Sequence, residues 1–518
     1  ARGGVAAAAA FLSRSVALSA DPGHRVERTL AAARASLDAG TAAVAADQLA
    51  TLDHNTLDER QRARVELLQG RAAFTLRRDG LGPELMTRAA QRLIPLDPVQ
   101  ARSSFVDAVE MSLLAGRGGE VLHEVTAAAR LAPPPASPDL LDALIELVDA
   151  GFPAATNLLR RTLLDDDLRW MQRPALASLI AFELWDQDTY TTITEWLVRR
   201  GRDSGSPAVL QLGLAQAAGG AITEGDVERA IATSAEEVAV ADAAGVPSLL
   251  HHRLYVAAVR GQRTEFERLA RAVGTTTNLH AATATLHNGL ADHPAALAAA
   301  LRATGNNAVL LTGTALPELI EAAVHCGEHA TAEQALATLT ARTEAGGTTT
   351  GRGIAAYARG LVTGDEGHFR HAVELLTESG LVSPLGRAHL LYGEWLRRAG
   401  QRREARRQLQ SAHHLLSRSG HEGFARRAAS ALRGLGERVD PRLEEPYEKL
   451  TEQELAVARL VASGATSQEV AGQLFVSKRT VDAHLRHIFR KLGLISRRQL
   501  KDHSGLSPIR AGRQRTAG

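Results

Sequence analysis

Through the first 440 residues, apolar positions recur every three to four residues. Each run stops at a glycine, passes through a short charged turn and starts again. That rhythm predicts amphipathic helices paired into hairpins. Alternation with period two, the mark of a half-buried strand, is nearly absent. The clearest unit is "GRAHLLYGEWLRRAGQRREARRQLQSAHHLL", residues 386–416. Here Gly393, Ala405 and Ala412 let two antiparallel helices approach closely, Leu409 fills the interior and Gly400 supplies the turn. "ERTLAAARASLDAGTAAVAADQLATL" repeats the register with Ala33, Gly40, Ala45 and Leu49. "ELIEAAVHCGEHATAEQALATL" repeats it more loosely with Gly327, Ala332 and Leu336. The spacing is that of a tetratricopeptide-like repeat. Breaks are expected at "APPPASPD" (132–139) and "GRDSGSP" (201–207). At ~34–45 residues per unit the stretch reads as an α-solenoid of about eight to ten hairpins.

From residue 450 the pattern tightens into four short helices, each with its own start signal. Thr451 with Glu454 and Ser496 with Gln499 read as capping boxes, as does Thr466 with Glu469; Ser477 reads as the cap of the third helix. The pairs Leu450/Leu455, Val476/Val481 and Ile495/Leu500 read as hydrophobic staples. In the third helix Val481, Leu485, Ile488 and Leu492 fall on one face. Arg479, Asp482, Ala483, Arg486 and Arg490 fall on the opposite face, with His487 at its margin. "SQEVAGQLF" forms the second helix, which leaves a short turn that forces the crossed pair of a helix-turn-helix.

Composition supports helices and narrows the chemistry. The 518 residues are 45% hydrophobic but only 4% aromatic, so the apolar material is mainly Ala, Leu and Val, and Ala costs least in a helix. The length suggests about three or four domains. A single cysteine, Cys326, excludes an internal disulfide and a Cys-x-x-Cys zinc pair. Three methionines and one cysteine read as a cytoplasmic protein. No run of about 18 apolar residues is present, so no membrane span is expected and no membrane is named as a partner. "ARGGVAAAAAFLSRSVALSA" is read as a first helix rather than a signal peptide, because Ser13 and Arg14 cut its apolar run short. The chain does not begin with Met, so a processed chain or a piece of a longer protein is expected.

Charge divides the chain. From Pro446 onward there are 13 Lys and Arg against 6 Asp and Glu, a net +7; the remainder has 47 against 52, a net −5. The tail therefore reads as a polyanion binder and the body does not. The first lysine is Lys449, so a P-loop, which needs a lysine on the phosphates, is excluded within this chain. "GRGG" at 116–119 is a turn and nothing more. The adjacent pairs His251–His252 and His413–His414 diverge by about 100° on a helix and make poor joint metal ligands. "LLDDDLRW" (163–170) reads as a helix terminus or solvated turn. Trp170, Phe182, Trp185, Tyr190 and Trp196 read as solenoid core, with a ring-lined pocket as the sharper alternative. No constellation supports an enzyme, no cofactor is expected, and an ATP site would lie only upstream in a longer protein.

The tail closely resembles the LuxR-type DNA-binding domain of bacterial transcription regulators. The match rests on Leu450-Thr451, Glu454, Gly464, Glu469-Val470-Ala471, Leu474, Ser477, Thr480-Val481, His484, Lys491-Leu492-Gly493 and Arg497. The resemblance places the helix-turn-helix on Ser467–Arg486, with the third helix in the major groove. It implies that Asp482, Ala483 and Arg486 meet base edges. Lys478, Arg479, Thr480, His484 and Lys491 are then backbone contacts, and Ser467, Ser477, Arg490 and Arg497 complete the DNA-facing set. Asp482 departs from the cation that some members use there. A helical-repeat body ahead of such a domain is similar to the large ATP-binding, MalT-like LuxR regulators, although their P-loop domain has no counterpart here.

The expected protein is all-α: a tetratricopeptide-like solenoid over 1–440, a linker at 441–449 with Pro441 and Pro446, a four-helix domain at 450–503 and a basic tail at 504–518. The expected role is a DNA-binding transcriptional regulator, an activator, controlled through the repeat region. Its expected partners are double-stranded DNA, RNA polymerase and an unknown small-molecule or protein inducer, with a dimer or oligomer on DNA. A second reading from the same residues is an interaction scaffold whose DNA-binding domain is secondary.

Overall fold

The computed structural model describes residues 2–77, 81–115, 119–274, 276–305, 310–437, 450, 452–462, 464–474, 476–492, 494 and 497–501. For some helical residues, Leu455 and Leu492 among them, it describes the backbone alone. The linker 441–449, the tail 504–518, residues 116–118 of the "GRGG" turn, and Thr451, Phe475, Ile495 and Ser496 lie outside the described residues. Every regular element among those described is helical, and no helix is long and apolar enough to cross a membrane.

Consecutive helices pair into antiparallel hairpins. Val382–Arg398 packs along Arg402–Arg418, and Thr349–Thr363 along Glu366–Ser379. In the first of these, a Cβ at Gly393 would sit 2.7 Å from Leu409 Cγ, and Ala405, Leu409 and Ala412 are fully buried. The glycine is therefore needed for the close approach expected of it. Gly400 takes φ 79° at the turn. Pro22–Asp38 and Ala42–Ala50 follow the same rule: Ala33, Ala45 and Leu49 are buried and Gly40 has φ 80°. In the looser unit Gly327 and Ala332 hold their places. Leu336 is only half-buried and Leu339 takes the interior position.

One of the two expected breaks moves. The first break holds, because 132–139 is non-helical and Asp139 opens the next helix in a capping box with Asp142. The second starts later: Gln187–Ser204 runs through Gly201, whose Cβ would lie 2.5 Å from the Leu210 backbone. Gly201 is a packing glycine, and the turn is made by Gly205 and Ser206. Of the aromatic group, Trp170 and Tyr190 are buried, while Phe182, Trp185 and Trp196 are half-buried beside them. Trp170 meets Trp196 edge-on at 5.4 Å, and buried Tyr190 donates to the Gln216 carbonyl at 2.6 Å. The first residues form the helix Arg2–Ala17, which packs on Pro22–Asp38.

The array bends back on itself. Glu422–Gly434 packs against His251–Arg260 and Thr277–Gly289, and His329–Gly346 meets Phe152–Leu159. Buried charge marks both closures. Arg342 pairs with Glu183, 159 residues away, and its guanidinium lies 4.3 Å from the Phe152 ring centre. Glu321 receives Arg387 on one carboxylate oxygen and Arg427 on the other. Arg427 also makes a two-pronged pair with Glu394 at 2.7 and 2.6 Å and donates to the Asn288 carbonyl at 3.0 Å. All four charged groups are buried. The two guanidinium groups hold the Glu321 carboxyl well below its usual range, against the upward push of burial.

Removing one member of such a network leaves buried charge uncompensated, at a cost of about 3–5 kcal/mol. Glu321→Ala is expected to lose that much in denaturant unfolding; a loss below about 1 kcal/mol would mean the network is solvated. His421 gives a pH test. It is buried, and burial together with nearby Arg387 lowers its pKa to about 4, although Ser419 acts in the opposite sense. The fold therefore holds the neutral ring, while the unfolded chain takes up a proton below about 6.5. That stability is fully present above about 6.5 and is lost as pH falls toward about 4. His421→Gln should flatten the fall of Tm across this window relative to the parent; parallel curves would remove His421 as a cause.

Candidate nucleic-acid interface

The tail folds as four helices: Glu452–Ala462, Ser467–Gln473, Lys478–Leu492 and Arg497–Lys501. The Thr466–Glu469 capping box is formed in both directions, at 2.7 and 3.3 Å. Ser477 Oγ accepts from the Thr480 amide at 3.1 Å and caps the third helix. The second helix ends at Gln473 rather than at Phe475, because the Val476 amide turns back to the Ala471 carbonyl at 3.0 Å and closes it.

The third helix is held from behind. Val481, Leu485 and Ile488 are buried against a cluster that includes Val457, Ala458, Val461, Val470 and Leu500, with Leu474 partly buried beside them. On the other side Ser477, Lys478, Arg479, Thr480, Asp482, Arg486, His487 and Arg490 are exposed, and Ala483 and His484 are half-buried. Among the described residues Lys478, Arg479, Arg486 and Arg490 have no ion pair. Four unpaired cations against one carboxylate thus stand exposed on a helix of 15 residues, a rod of about 22 Å.

Three of the expected contact residues have a second occupation. Lys491 Nζ lies 2.5 Å from an oxygen of Glu454, a buried residue of the first helix. Arg497 donates to Ser467 Oγ at 3.0 Å and to the Ala465 carbonyl, so it ties the last helix to the start of the second. These bonds span 37 and 30 residues, and no local sequence signal marks them.

Residues 448–504 match the family described as "Bacterial regulatory proteins, luxR family". The tail is a luxR-family helix-turn-helix domain. A chain named as an HTH-type transcriptional regulator in Mycobacterium tuberculosis (strain ATCC 25618 / H37Rv) is 47% identical over 76 residues, 15% of this chain and 8% of that one. The nitrate/nitrite response regulator homolog of Haemophilus influenzae is 41% identical over 54 residues, 10% of this chain and 26% of that one. The oxygen regulatory protein NreC of Staphylococcus aureus is 42% identical over 60 residues, 12% of this chain and 28% of that one. The chain thus matches less than a third of the length of these relatives. Over the whole length, the solved APC/C hetero-tetramer Cut9–Hcn1 aligns with 96% of this chain and 92% of that one, at 12% identity and TM-score 0.33. That likeness is too low to add to the fold read from the hairpins themselves.

The luxR-family domain does not hang clear of the body. Its first helix packs against Val227–Ala244. One apolar cluster runs from Val227, Ala230 and Ile231 of the body to Val457, Ala458 and Val461 of the domain. The cationic ridge stays exposed in this arrangement.

The two faces of the third helix are separable by mutation. Leu485→Ala in the full chain should cost ~2–5 kcal/mol, which a domain of about 55 residues cannot spare. Hydrogen-exchange protection over 452–501 and duplex binding should both fall. Arg486→Ala should leave that protection intact and impair binding alone. Full protection in Leu485→Ala would mean the helix is turned the other way.

Proposed function

We propose that the chain is a DNA-binding transcriptional regulator whose helix Lys478–Leu492 enters the major groove. The single observation that carries this is the unpaired cationic ridge of Lys478, Arg479, Arg486 and Arg490, fixed in direction by the buried stripe behind it. A ridge so placed meets phosphates on both sides of a groove, and each neutralised phosphate releases counterions. In this reading Arg486 and Ala483 face base edges. Asp482 accepts from a cytosine amino group, the partner suited to a carboxylate. Ser477, Lys478, Arg479, Thr480, His484 and Arg490 lie along the backbone. Ser467, Lys491 and Arg497 reach phosphate only by sharing their internal bonds. The reading includes activation, contact with RNA polymerase, a dimer on paired half-sites and an inducer taken by the repeat array, whose bent hairpins give it a long inner surface.

Binding of the full chain to duplex DNA should fall steeply with salt. Arg486→Ala should cost about 1–3 kcal/mol and relax preference at one position, whereas Lys478→Ala should weaken all sequences alike and reduce the salt slope by about 1. A flat salt response would overturn groove docking.

A further inference from the structure

A second cationic feature lies far from the tail in sequence, where the last hairpins meet. A cleft of about 460 Å³ opens between Thr277–Gly289, Ala315–Cys326, Val382–Arg398 and Glu422–Gly434. Its wall carries Arg397, Arg398, Arg426 and Arg427 against a single carboxylate, Glu394. Even with the buried network beneath, which adds Arg387, Glu318 and Glu321, five arginines stand against three carboxylates. Arg397 is exposed and has no partner among the described residues. Arg398, also exposed, donates to His325 Nε2 at 3.4 Å.

The histidines add a stacked ring face. His293 and His325 stack with centroids 4.0 Å apart and planes 20° from parallel. His325 Nδ1 lies 2.9 Å from the Glu321 carbonyl, which can only accept, so that nitrogen carries the proton and Nε2 is left to accept from Arg398. Burial, with His325 and Arg427 adding, pushes His293 down to about 4. The His293 ring is therefore neutral at neutral pH, and the positive charge on the cleft wall is that of the guanidinium groups.

We propose that this cleft binds a small organic anion bearing a phosphoryl group, held by Arg397 and Arg398 and seated against the stacked imidazoles of His293 and His325. A guanidinium fork matches two phosphate oxygens at once, and no lysine or P-loop is needed for it. A phosphomonoester carries about −1.5 to −2 at neutral pH, which suits the surplus better than a lone carboxylate. The volume falls within the range of about 300–1,000 Å³ usual for small-molecule sites, and Leu290, Ala291 and Ala431 leave apolar wall for an organic part.

Two other readings meet the same residues. His293, Glu321 and His325 bring ligand atoms within 4.8 Å of one another, as a cation site would. But both Glu321 oxygens are already taken by Arg387 and Arg427, and a dication there would stand beside three guanidinium groups. Arg397 and Arg398 also end their helix, where cations favour its carbonyl terminus. That role requires no ligand.

Calorimetric titration of the full chain with inorganic phosphate and with phenyl phosphate, at fixed ionic strength, decides among them. Saturable binding is expected, on the order of 1 mM for inorganic phosphate and tighter for phenyl phosphate. Arg397→Gln/Arg398→Gln should weaken both about tenfold or more while leaving the ligand-free Tm unchanged. Should the pair melt early, Arg397→Gln alone serves as the variant and should weaken both measurably. Lys478→Ala/Arg486→Ala should leave phosphate binding unchanged while impairing DNA binding, so failure here is distinct from failure of the groove reading. The proposal is overturned if phosphate does not saturate, or if the cleft variant binds like the parent. It is equally overturned if only the tail variant loses phosphate, or if Zn²⁺ binds through His293 and His325 while phosphate does not.

Discussion

Glu321 sets two guanidinium groups in place at once, and the last third of the array is arranged around it. Arg387 comes from Val382–Arg398 and Arg427 from Glu422–Gly434, so one carboxylate fixes two helices against its own. Arg427 continues the chain of contacts to Glu394 and to the Asn288 carbonyl, and Arg387 lies 3.8 Å over the Phe424 ring. The need for such ties follows from composition. With aromatics at 4% and a core rich in alanine, helix faces are smooth, and area burial alone discriminates poorly between one register and the next. A planar fork that must satisfy a carboxylate tolerates little sliding. Arg342 with Glu183 plays the same part at the other closure, and buried Glu237 does so locally by accepting from the Gln211 side chain and the Leu249 amide.

These ties are what the sequence hid. Glycine spacing and the apolar rhythm predict the hairpins, because both are local. Gly393 against Leu409 and Gly400 at its turn could be read from one window of the chain. Arg387 and Arg427 could not. On a helical wheel a charged residue flanked by alanine reads as solvated face, and the partners of these two lie 66 and 106 residues away in Glu321. The shift from Leu336 to Leu339 has a related cause: where every third or fourth residue is apolar, the stripe is wider than the contact, and the neighbouring helix decides which member faces inward.

The tail shows the opposite balance. Its caps and stripe are local, so the direction of its third helix was legible to the residue, and the buried set Val481, Leu485 and Ile488 agrees with it. What local pattern could not give was the double use of cations. Lys491 and Arg497 look like the ridge residues in type and spacing, yet Glu454 and Ser467 engage them inside the domain. A lysine beside a buried glutamate contributes to the fold first, and only its remaining donors are available to a phosphate.

Packing also links the two cationic features. Ser419 accepts from the Val227 amide at 3.3 Å, and a Cβ at Gly420 would touch Val227 at 2.8 Å. The turn that leads into the cleft helix Glu422–Gly434 therefore rests on the start of Val227–Ala244, the body helix that meets the luxR-family domain. From Arg427 to Val481 the route runs through contiguous packed elements: cleft helix, turn, body helix, first domain helix and third. Contiguity becomes coupling only where an element has two arrangements that both ends bias. On that route Gly420, at φ 77°, leaves no space for a side chain against Val227. A side chain at Gly420 would therefore have to displace either the turn or the start of the body helix.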